Sequence, residues 1–134
     1  MLDCASGCWH KLSGIPLGKE DCLYLNVHVP DVGKNKELLP VMVFIPGGGY
    51  VTWDISQNKM EPGHLLDRDV ILVTVEYRLH ILGFLTLGAD GISGNQALFD
   101  QRLALEWVQR NIKSFGGNPE NVALFGQSAG AQFN

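Results

Sequence analysis

The sequence predicts an α/β fold whose central sheet is mostly parallel and is covered by helices on both faces. Two short apolar runs, residues 41–45 and 70–75, are continuous and rich in β-branched side chains, which is typical of strands buried on both faces. A helical pattern occupies residues 97–112, and a third buried strand is expected at residues 122–125. Buried strands separated by a helix favour a parallel sheet.

The helix at residues 97–112 is the clearest single element. Its apolar side chains recur at helical spacing, and they are Leu98, Leu105, Trp107, Val108 and Ile112. Gly116 and Gly117 are expected to end the helix, and Asn118-Pro119 is expected to open a turn. Earlier in the chain, residues 23–29 alternate apolar and polar side chains, which predicts a half-buried strand.

Composition and charge narrow the possible functions. The 134 residues suggest one domain at most, and 46% hydrophobic with 18% charged residues is ordinary globular composition. A net charge of −4 gives no electrostatic reason to expect nucleic acid or an anionic membrane as a partner. The apolar runs are too short to cross a bilayer, and the first ten residues do not resemble a secretory signal.

A candidate nucleophile follows the third expected strand, where residues 126–130 read Gly-Gln-Ser-Ala-Gly. In a nucleophile elbow of the G-x-S-x-G type, the serine occupies a strained turn that projects its hydroxyl above the sheet. The two flanking glycines are needed because those positions crowd the backbone, and Gly126 and Gly130 meet that need. The alternative is a glycine-rich loop with an idle serine, which the preceding strand disfavours. Ser128 is therefore the candidate nucleophile, with Gln127 beside it.

Two long segments resemble the type-B carboxylesterase and cholinesterase family. Residues 115–130, FGGNPENVALFGQSAG, are similar to its serine active-site signature, and residues 20–30, EDCLYLNVHVP, are similar to its second signature. The resemblance extends over about residues 18–131. It implies an α/β-hydrolase fold, with residues 1–134 as the N-terminal part of a single carboxylesterase domain. It also implies hydrolysis of a small-molecule carboxylic ester, without a metal or an organic cofactor.

A glycine loop after the first buried strand resembles the H-G-G-G oxyanion loop of esterases. By that resemblance, the N–H groups of Gly48, Gly49 and Ala129 would stabilise the oxyanion of the tetrahedral intermediate. The family usually has histidine where this chain has Pro46. Because proline lacks an N–H and fixes its own φ angle, we expect an altered loop that still forms the hole. A simple glycine turn is the alternative.

The remaining polar candidates are expected to be structural. In α/β-hydrolases the serine precedes the acid, and the acid precedes the histidine. The histidines of this chain all precede Ser128, and they are His10, His28, His64 and His80. His80 stands where the family has glycine. Asp100 and Gln101 match a D-Q pair of the family that we interpret as structural, so the triad acid and histidine are expected beyond residue 134.

Gln127 bears on the specificity for the alcohol group of the ester. Most family members have glutamate at this position, and in cholinesterases that carboxylate helps to bind a cationic choline group. A neutral glutamine therefore argues against a cholinesterase, and Gly-Gln-Ser-Ala-Gly is similar to juvenile hormone esterases and also to general carboxylesterases.

One alternative to an active esterase is a catalytically silent adhesion protein of the same fold, which the retained Ser128 disfavours. Another is a truncated product, and the chain by itself is expected to be inactive.

The spacing of the cysteines does not by itself decide whether a disulfide forms. Cys4, Cys8 and Cys22 allow one disulfide with a free thiol, or no disulfide. The family joins the cysteine of its E-D-C-L motif, which is Cys22 here, to a cysteine upstream. The resemblance implies Cys8 as the partner in preference to Cys4, and such a bond implies a secreted protein.

Overall fold

The computed structural model describes residues 7–12, 15–31, 37–53, 62–88, 91 and 93–132. The strands among these residues are β1 (His10–Leu12), β2 (Ile15–Leu17), β3 (Leu25–His28), β4 (Leu39–Ile45), β5 (Ile71–Val75) and β6 (Gly117–Gly126). The helices are α1 (Gly63–Leu66), α2 (His80–Phe84) and α3 (Gln96–Asn111), and 3-10 turns occupy Ile112–Phe115 and Ser128–Ala131.

The central sheet is mixed but mostly parallel, as predicted. Its strand order is β3-β5-β4-β6, with β3 antiparallel to β5 and the other pairs parallel. Val43 in β4 pairs with Val73 on one side and with Leu124 on the other. Because β4 and β6 are adjacent and parallel, the loops that follow them emerge at the same edge of the sheet. In open α/β sheets, that edge is where ligands bind.

The hydrophobic core lies between one face of the sheet and α3. Alternate residues of β4 and β5 point into it because side chains of a strand alternate between faces. Val43 and Val73 have no exposed surface, nor do Val108 and Ile112 at the end of the helix. A Cβ added to Gly117 would lie 2.7 Å from the Ile112 side chain and 2.8 Å from that of Val41. The helix end therefore packs directly on the sheet.

The third predicted strand differs from expectation in length and burial. β6 starts at Gly117 rather than at residue 122, so the turn expected at Asn118-Pro119 is part of the strand. Of the residues expected to be buried, Ala123 is exposed and Val122, Leu124 and Phe125 are half-buried, because β6 is the outer strand of the sheet among the described residues. A proline is tolerated there because an edge strand has N–H positions that face away from its neighbour.

The N-terminal hairpin was not predicted from the sequence. β1 and β2 pair in antiparallel register, and residues 13 and 14 between them lie outside the described residues. A disulfide joins Cys8 to Cys22, which is the pairing that the family resemblance implies. Cys4 lies outside the described residues. None of the helices in the described part of the chain has the length and apolarity needed to cross a membrane.

Candidate active site

The elbow around Ser128 has the strand–turn–helix geometry that its sequence predicts. β6 ends at Gly126, and Gln127 is still extended, with φ −123° and ψ 138°. Ser128 then turns into the left-handed region, with φ 53°, and begins a 3-10 turn. A side chain in that region costs roughly 1–2 kcal/mol relative to the right-handed region. The serine is therefore held in a strained conformation by its surroundings.

The two glycines of the elbow make close contacts with the end of β4. A Cβ added to Gly130 would collide with the carbonyl oxygen of Ile45 and would lie 2.6 Å from that of Pro46. A Cβ added to Gly126 would collide with the backbone of Gly130 and would lie 2.9 Å from the Ile45 oxygen. Only glycine fits at either position, which is the physical reason for the G-x-S-x-G pattern in this chain.

The glycine loop after β4 is folded as a tight turn with positive φ angles, 100° at Gly48 and 62° at Gly49. The Gly48 carbonyl accepts hydrogen bonds from the N–H groups of Val51 (3.1 Å) and Thr52 (3.2 Å). Among the described residues, none accepts a hydrogen bond from the N–H of Gly48 or Gly49. The two amides that the resemblance assigns to the oxyanion hole are thus not used to hold the loop together.

The glycine loop and the elbow are in direct contact. A Cβ added to Gly47 would collide with the carbonyl oxygen of Gln127 and would lie 3.1 Å from the Ser128 Cβ. Tyr50, at the far end of the loop, places its hydroxyl 3.0 Å from the carbonyl oxygen of Ala129. The fold therefore brings the two predicted motifs together, as expected from the adjacent, parallel β4 and β6.

Pro46 is buried and fixed in place by Tyr77. The Tyr77 hydroxyl donates a 2.7 Å hydrogen bond to the Pro46 carbonyl oxygen, and Tyr77 is only 1% exposed. Burial, with smaller electrostatic contributions from Tyr50 and Glu76, raises the pKa of Tyr77 to about 12. The hydroxyl therefore stays protonated at neutral pH. Sequence reasoning missed this residue, although its place just after β5 puts it at the same edge of the sheet.

Ser128 has no general base among the described residues. Its side chain is not hydrogen-bonded to any of the four histidines in that part of the chain. The His10 ring is buried and its Nδ1 lies 2.8 Å from the Cys8 carbonyl oxygen. Burial lowers the pKa of His28, and the exposed His80 packs edge-on against Trp9 at 6.3 Å. The histidines thus occupy the packing and surface positions that the sequence order predicts.

Asp100 also has a structural environment. It is buried in α3 and forms a two-pronged ion pair with Arg78, with both nitrogen–oxygen distances at 2.7 Å. It accepts a third hydrogen bond, 3.1 Å long, from the Arg78 backbone N–H. This pair ties the start of α3 to the segment that follows β5. It agrees with the structural interpretation of the D-Q pair.

Two hollows of the described chain lie away from Ser128, and a third, of about 470 Å³, is lined by Tyr50, Phe84 and other residues beside the glycine loop. A hollow of about 330 Å³ lies between β3 and α3 and is lined by Tyr24, Glu76 and Trp107, among others. A second hollow, of about 300 Å³, lies beside the disulfide and Arg78. Ser128 lines neither of them. The site is identified by its backbone geometry rather than by enclosed volume.

Sequence comparison places this geometry among known proteins. The profile of the "Carboxylesterase family" matches residues 3–133. A "Carboxylic ester hydrolase" of Bombus ignitus is 51% identical over 114 residues, which cover 85% of this chain and 20% of that protein. A "Juvenile hormone esterase" of Tribolium castaneum is 50% identical over 114 residues, 85% of this chain and 19% of that protein. The chain spans about a fifth of the length of these curated relatives.

Solved structures give the same result. The crystal structure of a juvenile hormone esterase from Manduca sexta superposes with a TM-score of 0.84 at 41% identity, covering 94% of this chain and 25% of that one. A structure titled "PNB esterase" superposes with a TM-score of 0.80 at 40% identity. These neighbours have the α/β-hydrolase fold, which confirms the fold that the resemblance implied. From its motifs, its backbone geometry and its relatives, this chain belongs to the carboxylesterase family.

Proposed function

We propose that the whole protein hydrolyses carboxylic esters with Ser128 as the nucleophile. The observation that carries this proposal is the left-handed Ser128 at the end of β6, packed against a glycine loop in which the N–H groups of Gly48 and Gly49 have no acceptor among the described residues. Strained serines at strand–turn–helix junctions are typical of esterases that act through an acyl-enzyme. The names of the relatives support the same reaction.

The reaction proceeds in two steps through one covalent intermediate. The Ser128 hydroxyl loses its proton to a general base as its oxygen attacks the ester carbonyl carbon, and the alcohol leaves with a proton returned by that base. Water then attacks the acyl-enzyme with the help of the same base, which releases the acid and restores the serine. The base is supplied by residues other than those that the structure describes.

The oxyanion of each tetrahedral intermediate is stabilised by backbone N–H groups. Gly48 and Gly49 present two donors from the loop, and Ala129, which follows the nucleophile, presents the third. In other serine hydrolases, removal of one such donor slows turnover by about 100- to 1,000-fold. Pro46 does not remove any of the three, because the donors lie at the next glycines and not at position 46. We therefore infer that the substitution of histidine by proline leaves the hole intact.

The substrate is a neutral small-molecule ester. Gln127 is exposed beside the nucleophile and carries no charge that would attract a cationic alcohol group. No nucleic acid and no cofactor are required by this chemistry. The Cys8–Cys22 disulfide supports a secreted protein, since such bonds persist in oxidising compartments.

The nucleophile is tested with a fluorophosphonate probe and a simple aryl ester in the whole protein. The wild-type protein is expected to be labelled on the peptide that contains Ser128 and to turn over the ester. Ser128→Ala is expected to lose both signals. Ser114→Ala is the matched control, since Ser114 is exposed in the 3-10 turn Ile112–Phe115 and lies away from the elbow. Labelling or turnover that survives in Ser128→Ala would refute the assignment.

A further inference from the structure

Tyr50 connects the two halves of the candidate site. Its backbone follows Gly49 directly, and its hydroxyl lies 3.0 Å from the carbonyl oxygen of Ala129. The same hydroxyl lies 2.6 Å from Oε1 of Gln132. A phenol has one proton, so it donates to one of these oxygens at a time. Either way, it joins the glycine loop to the turn that follows the nucleophile.

The backbone of Tyr50 is held in a conformation that tyrosine does not favour. Its φ angle is 62°, in the left-handed region where glycine is preferred. Its carbonyl oxygen accepts a 2.7 Å hydrogen bond from the His80 N–H, and its ring packs edge-on against Phe84 at 5.2 Å. These contacts fix the residue from three sides, which is how a strained conformation persists in a folded protein.

We propose that Tyr50 is a positioning residue of the ester hydrolase, whose hydroxyl sets the spacing between the Gly48 and Gly49 donors and the Ala129 donor. This inference rests on the proposed function. The glycine loop and the elbow pack together at Gly47 and Ser128, and the Tyr50 hydroxyl adds a hydrogen bond that fixes the far end of the loop against the turn after the nucleophile. Misplaced donors stabilise the oxyanion less without changing how the neutral substrate binds.

The test is Tyr50→Phe in the whole protein, which keeps the ring and removes the hydroxyl. We expect kcat to fall about tenfold, because displaced donors stabilise the oxyanion of the transition state less, with KM within about twofold. The inhibition constant of a trifluoromethyl ketone is expected to rise by about the same factor, because its bound hemiketal carries an oxyanion. A residue with a merely structural role would not shift these two quantities in parallel.

Tyr24→Phe is the matched control. Tyr24 is exposed, and its hydroxyl donates a 2.8 Å hydrogen bond to Asp21 rather than to the glycine loop or the elbow. This variant is expected to keep wild-type kcat and the wild-type inhibition constant. Gln132→Met removes one of the two acceptors of the Tyr50 hydroxyl. This variant is expected to keep kcat within about twofold of wild type, because the Ala129 carbonyl oxygen still accepts the hydrogen bond.

The outcomes separate this inference from the proposed function. If Ser128→Ala keeps full activity, the proposed function fails. If Ser128→Ala is inactive but Tyr50→Phe keeps wild-type kcat and inhibition, only the positioning role is overturned. If kcat falls as far in Gln132→Met as in Tyr50→Phe, the acceptor that matters is Gln132 and not Ala129, and the proposed link from Tyr50 to Ala129 is overturned. Thermal melting of each variant distinguishes a loss of folding from a loss of positioning.

Discussion

At the scale of single residues, the left-handed backbone conformation occurs both in the candidate site and at positions outside it. Among the described residues, positive φ angles occur at Tyr50, Asp69, His80, Asn95 and Ser128 besides the glycines. Asp and Asn adopt this conformation more readily than other residues because their short side chains bond locally. The serine and the tyrosine lie in the candidate site. His80 is different, because its exposed side chain stands where the family has glycine.

The strain at His80 predicts that His80→Gly stabilises the protein. Its φ of 54° is unfavourable for histidine, and its N–H keeps the bond to the Tyr50 carbonyl in either residue. We expect a net rise of about 0.5–1 kcal/mol in the free energy of unfolding. The relief of strain is larger than this, but glycine's greater freedom in the unfolded chain and the lost contact with Trp9 offset part of it. Thermal melting measures the change. His64→Gly, an exposed position inside α1, is the control and is expected to be destabilising.

Tyr77 predicts a loss of stability at high pH. Its folded-state pKa is raised from 10.0 to about 12, mainly by burial. The protonated form is favoured by folding, so the stabilisation is complete below pH 10 and is lost as the pH rises from 10 through 12. Two pKa units correspond to roughly 2–3 kcal/mol. Denaturant unfolding between pH 9 and 12 measures the change, and a Tyr77→Phe variant with the same pH dependence would contradict it.

At the scale of elements, the sequence predicted the central strands and α3 well because their apolar patterns are set by burial. It placed the start of β6 at residue 122 instead of Gly117 and missed the hairpin of β1 and β2 for the same physical reason. At the edge of a sheet, backbone pairing decides where a strand ends, and side-chain pattern says little about it. The Gly47 contact with Ser128 could be inferred only through the family resemblance, since it depends on which strands are neighbours.

The contact between the elbow and β4 predicts a severe effect of Gly130→Ala. The added Cβ would collide with the Ile45 carbonyl oxygen, and backbone at the end of a paired strand has little room to move. We expect a loss of about 1–3 kcal/mol in the free energy of unfolding, as for overpacked cores. Labelling of Ser128 by a fluorophosphonate is expected to slow at least about tenfold, because the elbow must shift.

Gly63→Ala is the control for that substitution. A Cβ at Gly63 would meet nothing within 4 Å, and the residue lies at the start of α1. We expect stability and labelling close to wild type, since alanine is a good helix residue. Equal effects of the two substitutions would show that the contact with β4 is not what requires glycine at position 130.

At the scale of the whole molecule, the described chain presents an open sheet edge. β6 pairs with β4 on one side only, and the exposed Ala123 lies in its middle. Unpaired strand edges are templates for pairing with another chain. Ser128, meanwhile, has no hydrogen-bonded histidine or carboxylate among the described residues. Both features bear on how the 134-residue chain behaves when it is made by itself.

We predict that the 134-residue chain, purified alone, associates and does not turn over esters. Without a base, a serine hydrolase retains only the small contribution of its oxyanion hole and binding. Sedimentation and an aryl ester assay measure both properties. Ala123→Lys, at the β6 edge, is expected to reduce association, whereas Ser114→Lys, outside the sheet, is expected to leave it unchanged. A monomer whose ester hydrolysis is abolished by Ser128→Ala would contradict the prediction.

The bond between Tyr50 and Ala129 also has a consequence for biosynthesis. Its two ends are 79 residues apart in sequence. A ribosome that adds 5–20 residues per second completes that interval in roughly 4–16 seconds. During this time the emerging chain carries the glycine loop without the elbow against which it packs. The strands and helices that precede the elbow are therefore synthesised before Ser128, the proposed nucleophile, has joined the chain.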